Sequence, residues 1–73
     1  MREKDEVRLK KIGLNLATIR KGQGLSQRDL SYKCEVDYGK ISKIETGKAN
    51  LYVTTLLELA EGLGVSPKEL LEF

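Results

Sequence analysis

Between Ser26 and Thr46 the aliphatic and thiol side chains stand only at Leu30, Cys34, Val36, Ile41 and Ile44, and every other residue is polar, glycine or tyrosine. Two helix starts lie in the same stretch. Ser26 is followed three residues later by Asp29, which approximates a capping box, and Asp37 has the short acceptor side chain that caps a helix after it. A second helix therefore opens at Ser26 with Leu30 and Cys34 inward. A third runs from Asp37 to about Thr46, with Ile41 and Ile44 inward and Gly47 as its stop. About three residues join the two, a spacing that makes them cross steeply instead of lying antiparallel, as in a helix-turn-helix unit. Ser31 is small and faces the partner helix at close range.

The rest of the chain reads the same way. Leu9, Ile12, Leu16 and Ile19 recur at helical spacing and put one apolar stripe on a first helix over about residues 6 to 21, ended by Gly22 and Gly24. Gly13 inside that helix costs about 1 kcal/mol relative to alanine, which points to another helix approaching closely there. A fourth helix over about residues 53 to 62 carries Val53, Leu56, Leu57 and Ala60 and is ended by Gly62 and Gly64. The fifth has Ser66 as cap, Pro67 at its first position and Glu69 completing the box. Proline occurs once and β-branched runs are short, which disfavours strands. The expected fold class is all-α: a single domain over residues 1 to 73, with the helix-turn-helix over about residues 26 to 46.

At 73 residues the core is small, since a domain near this size buries only about 60% of its unfolded surface. With 40% hydrophobic and 33% charged residues the composition is that of a soluble globular protein. No apolar run nears the roughly 18 residues of a membrane span, and the charged start lacks a signal peptide's apolar stretch, so no membrane is expected and the default location is the cytoplasm. The single cysteine, Cys34, has no disulfide partner in the chain, and with no histidine it has neither a zinc set nor an imidazole base, which makes it a small core residue. No metal, cofactor or catalytic set is indicated, and the chain is not expected to be an enzyme.

Charge is unevenly placed. Residues 1 to 24 hold seven Lys/Arg against three Asp/Glu, residues 25 to 48 five against four, and residues 49 to 73 one against four. Such polarity suits a molecule that turns one face to a polyanion, although solvated helix faces give the same pattern. With Ile41 and Ile44 holding the third helix down, the side left outside comprises Tyr38, Gly39, Lys40, Ser42, Lys43 and Thr46. A helix of this kind slides into a major groove with its first residues leading. Tyr38 and Lys43 suit base edges, because lysine donates to guanine O6/N7 and tyrosine offers a hydroxyl and a ring for a thymine methyl. Lys40 reaches either a base or a phosphate, and Gly39 lets the backbone come near. Ser26, Gln27, Ser42, Thr46, Lys48 and Asn50 are placed to hold phosphates.

The stretch LSQRDLSYKCEVDYGKISKIETGKAN resembles the central block of the phage repressor and Cro-type helix-turn-helix regulators, the XRE family with its lambda repressor-like fold, and TLLELAEGLGVSPKELLEF resembles their fourth and fifth helices. The resemblance covers about residues 9 to 72. It implies base contacts at Tyr38, Lys40 and Lys43, phosphate contacts at Gln27 and Thr46, and a structural ion pair between Arg20 and Glu45, with Arg20 also within reach of a phosphate. Three positions depart from the family pattern. Glu35 stands where the family usually has glycine, so the turn is expected to take a different conformation. Leu51 and Tyr52 replace a Pro-Ser lead into the fourth helix, which removes a cap, and Gly39 is sparse for a reading position.

Leu71 and Phe73 cannot both turn inward at the end of the chain, so with Leu63 and Val65 they form a candidate apolar dimer interface. Members of the family commonly pair through these last helices. A twofold dimer would set two recognition helices about 34 Å apart on a palindromic operator. The expected function is a sequence-specific DNA-binding transcriptional regulator, a dimeric repressor or the controller of a restriction-modification operon, since the chain ends after the fifth helix with no room for a sensor domain. The alternative is an antitoxin or other protein-interaction module whose toxin or protein partner comes first and whose DNA binding is autoregulatory.

Overall fold

In a computed structural model that describes residues 2 to 73, five helices follow one another: α1 Glu3–Gly22, α2 Gln27–Ser31, α3 Tyr38–Glu45, α4 Val53–Leu63 and α5 Pro67–Leu70. No strand occurs among the described residues. The helix α1 begins about three residues earlier than its apolar stripe indicates, because Glu3, Asp5 and Glu6 complement the positive end of its dipole and Arg2 pairs with Asp5 at 2.9 Å.

The core gathers one face of every helix. Leu16 of α1, Leu30 of α2, Ile41 and Ile44 of α3, Leu56, Leu59, Ala60 and Leu63 of α4 and Leu70 of α5 are buried together with Val36 of the turn. Ile12, Ile19, Leu25, Cys34, Leu51 and Val65 close its edges. In α4 the inward face differs from the expected one: Val53 and Leu57 are solvent-exposed, while Leu59 and Leu63 turn in. Successive residues of a helix are rotated by about 100°, so the face through Leu56, Leu59, Ala60 and Leu63 cannot also include Leu57. Gly62 likewise does not stop α4. It lies within the helix, where a Cβ would stand 3.0 Å from Cys34 Cβ and 3.2 Å from the Lys33 carbonyl. The stop is Gly64, left-handed at φ 68°, with Val65 N–H returning to the Ala60 carbonyl at 3.0 Å.

The start of α2 is built as its sequence suggests: Asp29 N–H donates to Ser26 Oγ at 2.9 Å and Ser26 N–H donates to the Asp29 carboxylate at 2.9 Å. Hydrogen bonding from Ser26, its backbone N–H first and its side chain second, holds the Asp29 carboxyl below the usual carboxylate range. The cap is therefore present at neutral pH and fades only as acid takes the pH down through that lowered value. Ser26→Ala is expected to cost about 1 kcal/mol, read as a lower denaturant midpoint with unchanged slope.

The link between α2 and α3 is longer than the expected three residues. It spans residues 32 to 37, because α2 tightens into i+3 bonds (Tyr32 N–H to Asp29 and Lys33 N–H to Leu30) and ends. Cys34 is consequently half-buried in the link instead of fully inward on α2, its thiol donating to the Leu30 carbonyl at 3.3 Å and held protonated by burial. Glu35 causes no backbone strain, since no non-glycine residue among those described has positive φ. Its N–H is held instead by Glu58 of α4 at 3.2 Å. As the Leu51-Tyr52 lead implies, α4 has no side-chain cap.

The helix α1 crosses α3 at Gly13. A Cβ there would fall on the Ile44 carbonyl oxygen and stand 2.7 Å from that of Glu45. Both obstacles are backbone and cannot swing aside, so α1 and α3 would have to part. Gly13→Ala is expected to destabilise the fold by about 1–3 kcal/mol despite alanine's higher helix propensity. A rise in melting temperature would contradict this packing.

Candidate nucleic-acid interface

Ile41 and Ile44, 0% and 2% exposed, hold one side of α3 in the core. Asp37 caps the helix by accepting the Lys40 N–H at 2.9 Å. On the opposite side Tyr38, Gly39, Lys43 and Thr46 stand in solvent, with Lys40 and Ser42 half-buried along its borders. Gly39, Lys40 and Lys43 line one shallow concavity with Asp37, Ala49 and Asn50, so the residues after α3 share a surface with its first turns.

The orientation of α3 is locked from behind. Arg20 Nε donates to Glu45 Oε2 at 2.7 Å and Nη2 to Oε1 at 2.9 Å, a two-pronged pair whose side chains are 8% and 6% exposed. Its remaining Nη1 donates to the Leu25 carbonyl at 2.7 Å. The hydrogen bond to Glu45 raises the pKa of Arg20 against the opposing effect of burial. Arg20 is thus closed into the scaffold, with each of its three guanidinium nitrogens donating inside the protein. Glu45 Oε1 also accepts from Gln27 Nε2 at 2.9 Å, which ties the first turn of α2 to the last turn of α3.

Other flanking side chains are partly engaged. The Thr46 hydroxyl lies back on the Ser42 and Lys43 carbonyls, at 3.2 and 3.1 Å, and Asn50 Oδ1 accepts the Leu51 N–H at 2.9 Å. Ser26 and Lys48 remain exposed. Lysines 10 and 48 line a common concavity with Glu6, Thr46 and Gly47. Gly47 has φ 73°, and a Cβ there would stand 2.5 Å from Lys10 Cγ.

Three side chains at this surface escaped the sequence reading. Lys10 lies one helical turn before Gly13, and the close approach at Gly13 was the signal that places it beside α3. Arg28 extends its guanidinium over the Tyr38 ring, 4.7 Å from the centroid, and Tyr52 stands 5.5 Å from Lys40 Nζ. Neither stack has a signal in spacing, because each joins residues of separate elements. Acidic groups gather elsewhere: Glu35, Glu58 and Glu61 line a concavity with Cys34 between the turn and α4.

At the far end Leu71 and Phe73 are 47% and 62% exposed, and Val65 is half-buried. Leu63 is not available at this surface: it is 4% exposed because the inward face of α4 carries it into the core. Asn15 of α1 donates to the Leu70 and Glu72 carbonyls at 3.1 and 2.8 Å, and Lys11 lies 5.5 Å from the Phe73 ring centroid. Leu14, 65% exposed, lies on the same helix between them in sequence.

The profile of the HTH_3 helix-turn-helix family matches residues 16–70, from the middle of α1 to the end of α5. The chain belongs to the HTH_3 family. An uncharacterized HTH-type transcriptional regulator of Sinorhizobium fredii is 39% identical over 61 residues, 84% of this chain and 79% of that protein. The control protein C.BamHI of Bacillus amyloliquefaciens is 37% identical over 49 residues, 67% of this chain and 60% of its own length. Among solved structures, the restriction-modification controller protein C.AhdI from Aeromonas hydrophila superposes with a TM-score of 0.83 at 34% identity, covering 85% of this chain and 94% of that one. An HTH_3 family transcriptional regulator from Vibrio cholerae gives 0.87 at 27% identity, covering 90% of this chain and 37% of that one. In this HTH_3 domain the helix-turn-helix is α2, residues 32 to 37 and α3. No helix among the described residues is long and apolar enough to cross a membrane.

Proposed function

We propose that this chain is a sequence-specific DNA-binding transcriptional regulator that lays α3 in a major groove and acts as a twofold dimer on a palindromic operator. One observation carries the reading: α3 is pinned by two buried isoleucines and locked by the Arg20–Glu45 pair, while Tyr38, Gly39 and Lys43 face solvent. In this pose Tyr38, Lys40 and Lys43 meet base edges and Gly39 admits the backbone. Ser26, Gln27, Ser42, Lys48 and Asn50 flank the strip and meet phosphates, as does Thr46 once its hydroxyl turns from the Ser42 and Lys43 carbonyls, with Lys10 added beside Lys48. Leu71 and Phe73, rimmed by Val65, supply the contact between copies.

Within this class the role of restriction-modification controller is favoured, because the likeness to C.AhdI extends over nearly all of that protein. Fluorescence anisotropy on the duplex upstream of the chain's own gene tests the main reading. Affinity is expected to fall steeply with salt as Lys/Arg contacts release counterions. Lys43→Ala is expected to lose base preference, with roughly 1–3 kcal/mol less discrimination at one position. Lys48→Ala should weaken binding to all duplexes about equally. Equal losses of preference from both variants would contradict the assignment.

A further inference from the structure

Arg28 is exposed, and its guanidinium lies on the face of the Tyr38 ring at 4.7 Å, within the range of an attractive cation–aromatic contact. Among the described residues no carboxylate lies within ion-pair distance of Arg28. A guanidinium stacked on a ring keeps its five N–H groups in its own plane, directed to the sides and away from the ring. The platform beneath is fixed. Reciprocal bonds between Ser26 and Asp29 set the first turn of α2, and the Gln27–Glu45 bond ties that turn to α3. Two side chains ten positions apart are therefore held as one object at the leading end of α3.

We infer that Arg28 and Tyr38 form a single reading unit for a guanine adjacent to a thymine, Arg28 donating through its planar fork to guanine O6 and N7 while the Tyr38 ring covers the thymine 5-methyl group. The inference rests on the DNA-binding reading above and adds a residue of α2 to the base-reading set. Guanine offers two parallel acceptors on its major-groove edge, which match the fork, and the thymine methyl is the apolar feature a ring can cover. The ring contact restrains the guanidinium before binding, so less freedom is lost on engagement. The same fork also fits a phosphate, but a phosphate contact would carry no base preference.

The test selects duplexes from a randomised library with the full chain, Arg28→Ala, Arg28→Lys and Tyr38→Ala. The wild-type chain is expected to enrich a guanine beside a thymine in each half-site. Replacing that guanine with 7-deazaguanine should lower its affinity roughly tenfold, and replacing the thymine with deoxyuridine should lower it measurably. Arg28→Ala should be indifferent to the 7-deazaguanine, and Tyr38→Ala to the deoxyuridine. Arg28→Lys keeps the charge and a donor but not the fork, so it should retain the salt dependence and show a weaker guanine preference than the parent, while Arg28→Ala shows none. Arg28 is exposed, so its variants should melt with the parent. If Arg28→Ala weakens every duplex by one factor and reduces the salt slope by about one, Arg28 is a phosphate contact and the inference is overturned while DNA binding stands. A chain that binds no duplex overturns both.

Discussion

Arg20→Ala is expected to destabilise the domain by about 3–5 kcal/mol, because it leaves the Glu45 carboxylate buried without its cation and takes a donor from the Leu25 carbonyl. The whole stability of a domain is about 5–15 kcal/mol, and in a chain of this size each kcal/mol moves the melting temperature by roughly 4–8 °C. Thermal denaturation should therefore show a fall of the order of 15 °C or more. Removing both charges is a different experiment. In Arg20→Met with Glu45→Leu no carboxylate is stranded, and apolar replacements of similar volume commonly match or exceed a buried ion pair. The double variant should recover most of the lost stability. It should still bind DNA less selectively than the parent, since the fork that fixes the angle of α3 and the Gln27 tie are both gone. An unchanged melting temperature in Arg20→Ala would falsify the scaffold role.

The elements legible in the sequence are those whose cause is local. The Ser26–Asp29 box, the Asp37 cap and the Pro67 start each need only neighbours a few residues apart, and all three helix starts stand where those residues put them. Ile12, Leu16 and Ile19 of the α1 stripe and the inward pair Ile41 and Ile44 follow from period alone, as does the outer strip from Tyr38 to Thr46, whereas Leu9 lies outside the core cluster. What the sequence could not resolve was competition between similar residues. In α4, leucines at 56, 57, 59 and 63 define overlapping faces, and only the partners across the core decide that Leu57 goes out and Leu63 in. Gly62 reads as a stop from composition and proves to be a contact point, because Lys33 and Cys34 press on it from another element. The Arg28–Tyr38 and Lys10–Gly47 contacts are likewise set by how helices cross.

Leu71→Asp combined with Phe73→Asp is expected to leave a folded monomer whose operator affinity is about a hundredfold weaker. Both side chains are largely exposed and contribute little to the core, so the melting temperature should change little. In a dimer, however, each would sit in a shared apolar contact, and an aspartate there would have to be desolvated or would hold the copies apart. Binding one half-site brings the second copy to its own half-site at high effective concentration, and separating the copies removes that gain, which commonly amounts to about 10²–10⁴. Leu63→Ala is the contrasting variant: that side chain is core, so it should cost about 2–5 kcal/mol of stability without a specific effect on pairing. Val53 and Leu57 form the competing exposed apolar face, on α4. Sedimentation of Leu57→Asp beside the Leu71/Phe73 variant decides between the two faces. If the α4 variant alone separates the copies, pairing runs through α4, and the geometry of the two recognition helices follows from that axis instead.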